Sequence, residues 1–417
     1  MKRLWTQTRS FPPGARLMML NQFAVNLAFY MLMPYLAAHL AGGLGLAAWA
    51  VGLVLGVRNF SQQGLFLIGG TLADRLGPRM PIMAGCLLRT LGFALLGWVD
   101  SLPALIAASA ATGFAGALFN PAVRALLAAE AGDRRVDAFA TFNVYYQAGM
   151  LLGPLVGLAL LTADFRLVCT VAAAVFAVLT VFQWRHLPRG RTGGPAAAPR
   201  ESVLAQWRTV VANRPFLLFS AAMTGSYVLA FQVYLALPLA AADSLGSRAT
   251  AVTSGLFVVS AAVAVAGQLR LTAWAKRRWR PEEALVGGLA TMGLAFVPLM
   301  TGPRDSAPVV LVALVLAVVL LAVGSAVVYP FEMDTVVALS GNRLVATHYG
   351  LYHTVSGLGI TLGNLGTGAL WDYAARHHAG WLTWAVLTAT GAACAGSVAA
   401  LARTGRLTAP EPLPATA

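Results

Sequence analysis

Apolar runs of about twenty residues follow one another almost from end to end of this chain, separated by short polar turns. That repetition decides the solvent, because a bilayer core takes roughly 20 apolar residues per spanning helix. Twelve spans are read: 17–39, 48–69, 82–99, 103–129, 138–160, 167–184, 216–241, 249–269, 284–301, 308–336, 347–370 and 380–402. With 58% hydrophobic and 11% charged residues among 417, a soluble domain could not cover its apolar surface. The runs are too long, and too uniform in polarity, for the strands of an outer-membrane barrel. The N-terminal stretch MKRLWTQTRSFPPGAR is basic but leads into a full-length span, so it reads as the approach to an anchor and not as a cleaved leader.

Charge sets the expected orientation. Lys+Arg exceed Asp+Glu by 29 to 15, a balance that would suggest a nucleic-acid partner in a soluble chain. Placing the N-terminus in the cytoplasm leaves only Arg166, Arg248, Arg304 and Arg376 in the opposite loops, with Arg58, Arg89 and Arg124 inside spans. The rest face the cytoplasm, which is the positive-inside pattern. The expectation is a multi-pass protein of the inner membrane with both termini cytoplasmic and no nucleic-acid partner. Cys86, Cys169 and Cys394 each fall within a span without metal-ligand spacing and read as small packing residues. No metal site or cofactor is expected.

The one long break in hydrophobicity is 185–215. Its first part is a basic Pro/Gly linker. Its second part puts Val203, Leu204, Trp207, Val210 and Val211 on one helical face, as an amphipathic helix lying on the membrane would. The expected organisation is a six-helix bundle over 1–184, the linker over 185–215, a second bundle over 216–402 and a tail over 403–417. The halves also resemble one another. Aligning Pro121 on Pro330 brings Gly132 onto Gly341 and Arg134 onto Arg343, and one residue of slip places Gly149 and Gly153 over Gly359 and Gly363. Repeated six-helix units joined by a cytoplasmic linker are a transporter architecture.

Between spans 2 and 3 the apolar pattern gives way to GGTLADRLGPRM, residues 69–80. Gly70 and Gly77 allow close backbone approach and a tight turn, and Asp74 is an anion where helix ends converge. The stretch Gly70-Thr71-Leu72-Ala73-Asp74-Arg75-Leu76-Gly77-Pro78-Arg79 resembles the loop 2–3 signature of the major facilitator superfamily, with Pro78 in place of a usual basic residue. The resemblance extends through the six-plus-six layout over essentially the whole chain. It implies an all-α membrane fold of twelve helices in two pseudo-symmetric bundles. It further implies that Asp74 acts in a latch near the start of helix 11, with Gly70, Arg75, Gly77 and Arg79 in the same gate; Arg124, near the inner end of span 4, reads from its position as a fixed partner. In span 5, Gly149-Met150-Leu151-Leu152-Gly153-Pro154-Leu155-Val156-Gly157 resembles the family's antiporter signature, with Leu158 replacing its last glycine. That signature implies exchange of substrate for protons. Read without the family, the same glycines let two helices approach closely.

Ionisable groups inside a membrane are costly and are candidates for function. Glu332 and Asp334 in span 10 are the carboxylates placed to carry a proton, Glu332 first. His353 is a weaker relay candidate, and Arg58 or Arg89 stands in for the family's functional Arg, which span 4 lacks in its outer half. Asn26, Tyr30, Asn59, Gln62, Tyr146, Tyr227, Phe231 and Gln232 are the expected cavity wall, suited to amphipathic ligands. The expected partners are the lipid bilayer, a small-molecule substrate and protons, with the chain acting as a monomer. No phosphate-binding G-x-x-x-x-G-K-[ST] loop or nucleophilic triad is present, so the chain reads as no enzyme. The expected function is proton-coupled export of amphipathic compounds. A dedicated metabolite or antibiotic exporter, a proton symporter of a polar solute, and a non-transporting receptor or scaffold on the same fold stay open.

Overall fold

The computed structural model describes residues 2–187, 202–301 and 306–407, and among them it is helical without a single strand. The first unit opens with α1 (Lys2–Arg9), α2 (Pro13–Ala38), α3 (Ala48–Gly64) and α4 (Phe66–Leu76). It continues through α5 (Arg79–Trp98), α6 (Leu102–Ala131), α7 (Arg135–Leu161), α8 (Phe165–His186) and α9 (Val203–Ala212). The second runs through α10 (Arg214–Phe231), α11 (Ala236–Leu245), α12 (Ala249–Arg278), α13 (Pro281–Leu294) and α14 (Val297–Thr301). The last three helices are α15 (Ala307–Ser340), α16 (Val345–Arg376) and α17 (Trp381–Arg403). The basic Pro/Gly part of the linker and the end of the tail lie outside the described residues.

Nine segments of the described chain are long and apolar enough to cross a membrane, and one of them, Leu102–Leu161, holds two of the expected spans. Spans 2 and 11 are present as helices but are not among these nine. Span 2 is divided at Leu65 (φ −103°, ψ 5°) and carries Arg58, Asn59, Gln62 and Gln63. Spans 7 and 9 are likewise interrupted, at 232–235 and 295–296, each just before a proline, Pro238 or Pro298. Proline withholds the N–H that an unbroken helix would use there.

Two compact units emerge: Met1–Ala212 with Arg343–Thr354, and Asn213–Asn342 with Val355–Ala417. The beginning of α16 therefore belongs to the first unit and the remainder to the second. Within each unit the same pairings recur. In the first, α5 packs on α6 and α8, and α3 packs on α6. In the second, α13 packs on α15 and α17, and α12 packs on α15. The sequence repeat is thus a structural one.

The glycine signature in α7 lies along α2. A methyl group on Gly149 would sit 2.6 Å from the Phe23 carbonyl oxygen, and one on Gly153 would sit 2.9 Å from that of Leu27. On Gly157 it would run into the carbonyl of Met31. Phe23, Leu27 and Met31 are four apart, so three glycines mesh with one ridge of α2. Tyr35 adds a hydrogen bond to the Pro154 carbonyl at 2.7 Å. In the second unit the corresponding Gly359 and Gly363 face the side chains of Thr224 and Val228, again four apart. There the close neighbours are side chains and not backbone.

Candidate functional site: the α4–α16 junction

The polar dozen forms the last turns of α4, a stop, and the start of α5. Gly77 ends α4 at φ 82°, a conformation closed to most side chains. Arg79 opens α5 and donates Nη2 to the carbonyl of Trp184 at 2.5 Å, near the C-terminal end of α8, where a cation is favoured.

Asp74 faces the first turn of α16. It accepts hydrogen bonds from the backbone N–H of Ala346 (3.2 Å), the backbone N–H of Thr347 (2.7 Å) and the Thr347 hydroxyl (2.6 Å). First-turn N–H groups have no acceptor within their own helix, so Asp74 supplies the cap from another part of the chain. Burial raises its carboxyl above the ordinary Asp value, and the bonds from Thr347 and Ala346 pull the other way.

The contact continues as an antiparallel seam. The absence of a side chain at Gly70 admits the Ala346 carbonyl. One turn further along α16, a methyl on Gly350 would lie 2.5 Å from the Phe66 carbonyl. One turn beyond that, the Thr354 hydroxyl donates to the Gln63 carbonyl at 3.2 Å. Each four-residue step up α16 meets a step of three or four down α4 and α3. Asn342 (φ 58°) and Leu344 (φ 50°) hold the turn that delivers α16 to this seam, and for a leucine that geometry costs about 1–3 kcal/mol.

Behind the seam stands α9. Trp207 donates its indole N–H to the Thr71 hydroxyl at 2.8 Å, and that hydroxyl donates to the Leu67 carbonyl at 2.8 Å. Val210 is fully buried, whereas Leu204 and Val211 are 75% and 52% exposed. The apolar face expected at 203–211 is thus divided: one part docks on protein and the other remains open. The helix ends at Ala212, and the Asn213 side chain caps α10 by accepting from Phe216 N–H (3.2 Å).

The other expected residues lie in several places, with Arg124 close enough to His353 for their charges to interact. Arg124, read as the fixed partner of Asp74, donates Nη1 to the Asn120 carbonyl (3.2 Å). His353 sits on the α16 segment of the first unit with Phe66, Tyr349 and Tyr352 around it, and its Nε2 has no hydrogen-bond partner. Glu332 is 3% exposed in α15, which runs on unbroken to Ser340, and Asp334 is partly exposed on the same helix. Both are in the second unit.

Two expected wall residues are taken up by helix packing. Asn26 is 6% exposed and donates to Gln22. Gln232 is fully buried and donates to Val228 (2.9 Å) and Asn364 (3.5 Å). Tyr30, Gln62 and Tyr146 are partly exposed and Asn59 is exposed in the first unit, while Tyr227 and Phe231 lie on α10 in the second.

Near Tyr30, two guanidinium groups share one ring. Arg58 lies 5.3 Å and Arg89 lies 5.5 Å from the centroid of Phe29. Arg89 is 5% exposed and also lies over Phe119 (5.6 Å) and Phe176 (5.4 Å). Arg58 donates to the side-chain oxygen of its neighbour Asn59 at 2.5 Å.

The Major Facilitator Superfamily profile matches residues 18–364, most of the chain. The chain belongs to the Major Facilitator Superfamily. It is 55% identical to an uncharacterized MFS-type transporter of Mycobacterium tuberculosis over 92% of both chains. It is 30% identical to the multidrug resistance protein MdtH of Sodalis glossinidius, over 92% of this chain and 91% of that one. The crystal structure of the human organic anion transporter MFSD10 superposes with a TM-score of 0.72, covering 93% of this chain and 99% of that one at 17% identity, which bears on fold alone. As a superfamily member the chain is a membrane transporter of a small molecule and not an enzyme.

Signals for the partners of Asp74 were present but diffuse. Ala346, Thr347, Gly350 and Thr354 place small and hydroxyl residues on one face of span 11. Nothing local in the sequence paired that face with 63–74, or Trp207 with Thr71.

Proposed function

We propose that this transporter exports amphipathic compounds in exchange for protons, by alternating access between two bundles, from the inner membrane and with both termini in the cytoplasm. The observation that carries the reading is the carboxylate of Asp74 on the open N–H groups of α16. Such a cap makes and breaks as a unit, because its bonds are all to one helix end and its strength is electrostatic. It is the design of a gate that closes firmly and reopens without unfolding anything.

The similarity to MdtH proteins named for multidrug resistance favours export of varied amphipathic compounds over a single polar solute. The meshed glycines of α7 along α2 give a stiff seam inside the first unit, which suits a bundle that moves as one body. Glu332 is the proposed proton carrier, with Asp334 second and His353 as a relay. A buried carboxyl pays for ionisation and so exchanges its proton as its surroundings change. Tyr30, Gln62 and Tyr146 in the first unit are proposed substrate contacts, and so are Tyr227 and Phe231 in the second.

The test is accumulation of a fluorescent lipophilic dye in cells expressing wild type or Glu332→Gln, each with and without a protonophore. Lower dye content with wild type, abolished by the protonophore and by the substitution, supports proton-driven export through Glu332. Full export by the variant removes Glu332 from coupling. No export by wild type in any condition removes broad drug export.

A further inference from the structure

We propose that Arg58 and Arg89 form an anion site in the first unit, which receives the carboxylate of an amphipathic aromatic acid. The inference rests on the small-molecule transport reading above and names a substrate class for it.

The argument begins with charge. Spans 1–6 contain no Asp or Glu, yet they carry Arg58, Arg89 and Arg124. Asp74, Asp100, Glu130, Asp133, Asp137 and Asp164 all stand in end turns of helices or in the connections between them. Cations at membrane depth are held only where something compensates them. For Arg89 that compensation is incomplete. Three phenyl faces surround its guanidinium, but ring faces leave N–H donors unsatisfied, and Nε and Nη1 have no hydrogen-bond partner. Nε of Arg58 is also without one. Two guanidinium groups around one Phe29 ring repel each other unless an anion joins them.

The geometry fits a carboxylate. A guanidinium offers a planar fork that matches two carboxylate oxygens. Arg58 and Tyr30 are partly exposed, so one side of the cluster is open, whereas Arg89 is enclosed. A ligand would place its charge toward the arginines and its ring against the partly exposed Tyr30. The acid is held by Arg58 at the entrance and fixed in place by the field of Arg89 behind it.

The test uses the purified full chain in phosphatidylcholine nanodiscs without a proton gradient. Binding of radiolabelled naphthalene-1-acetate is measured against naphthalene-1-acetamide, which keeps the ring and loses the charge, and against 1-naphthylmethylammonium. The acid should bind at least about tenfold more tightly than either. Arg58→Gln should erase that preference, and Arg58→Lys should keep part of it. Arg58 is the residue to change because Arg89 is enclosed and its replacement risks misfolding. Equal binding of acid and amide, preference for the ammonium, or an unchanged preference in Arg58→Gln each overturns the proposal. A second arm adds phosphatidylglycerol to the nanodiscs. If this lipid displaces the acid completely, the site holds a lipid headgroup and the organic-acid assignment fails. Because no gradient is applied, failure of proton-driven export leaves the binding result standing, and the reverse also holds.

Discussion

Asp74 and Thr347 stand 273 positions apart in the chain and are joined by two hydrogen bonds, from the Thr347 N–H at 2.7 Å and from its hydroxyl at 2.6 Å. One side chain thereby ties the loop between spans 2 and 3 to the beginning of span 11. Replacing it with Asn keeps the shape and removes the charge. Hydrogen bonds to a charged group contribute about 1.5–3 kcal/mol, so Asp74→Asn should weaken the junction by that order. Hydrogen exchange of peptides covering 345–354 should speed up roughly tenfold or more, while exchange in α13 stays as in wild type.

The hydroxyl of Thr347 can be separated from its N–H. Thr347→Val retains the backbone bond and the branched shape but loses the shortest contact to Asp74. The expected effect is about 1 kcal/mol, smaller than that of Asp74→Asn, and it should shrink when both substitutions are combined, because an amide oxygen accepts more weakly than a carboxylate. The same exchange measurement on 345–354 in a double-mutant cycle reads this directly.

The two glycine seams should differ in tolerance. Gly157→Ala drives a methyl into the Met31 carbonyl, which can move only with its helix. Gly363→Ala meets the γ-carbons of Val228, side-chain atoms that can shift without moving a backbone carbonyl. The first should cost about 1–3 kcal/mol or more and lower the melting temperature of the purified protein, and the second should cost clearly less. Equal losses would mean that the backbone approach in the first unit has no special weight.

Trp207→Phe tests the attachment of α9. It keeps an aromatic ring and removes the indole donor to Thr71, for an expected loss of about 1 kcal/mol. Limited proteolysis after Arg208 should accelerate relative to wild type, with spans 1–6 remaining intact.

Much of the architecture was legible because bilayer physics acts on composition. Helix lengths, the internal repeat and the turn at Gly77 follow from apolar run length, from the matching prolines and glycines of the halves, and from the placement of a glycine at the stop. The resemblance placed Asp74 near the start of helix 11, but no local feature of the sequence named its partners there or joined Trp207 to Thr71. The side chain of Trp207 was assigned to an amphipathic face by periodicity alone, but its N–H made a partner worth more than exposure. Asn26 and Gln232 looked like cavity wall by chemistry and are buried between helices, where an amide finds its backbone acceptors. The breaks at 232–235 and 295–296 have Pro238 and Pro298 as their sequence signal, whereas the break at 65 has none, because hydropathy does not register backbone conformation. Part of the lower apolarity of spans 2 and 11 is explained by the seam, where Gly350 admits the Phe66 backbone and Thr354 donates to the Gln63 carbonyl.

The most direct measurement is dye flux in proteoliposomes containing purified wild type or Asp74→Asn, driven by an imposed pH gradient, with dye binding measured in parallel. The account predicts that wild-type flux follows the gradient and collapses with a protonophore. It also predicts that Asp74→Asn binds dye normally but transports at least about tenfold more slowly, as loss of a gate contact worth 1.4 kcal/mol or more would produce. Gradient-independent wild-type flux, or full-rate flux by Asp74→Asn, would contradict it.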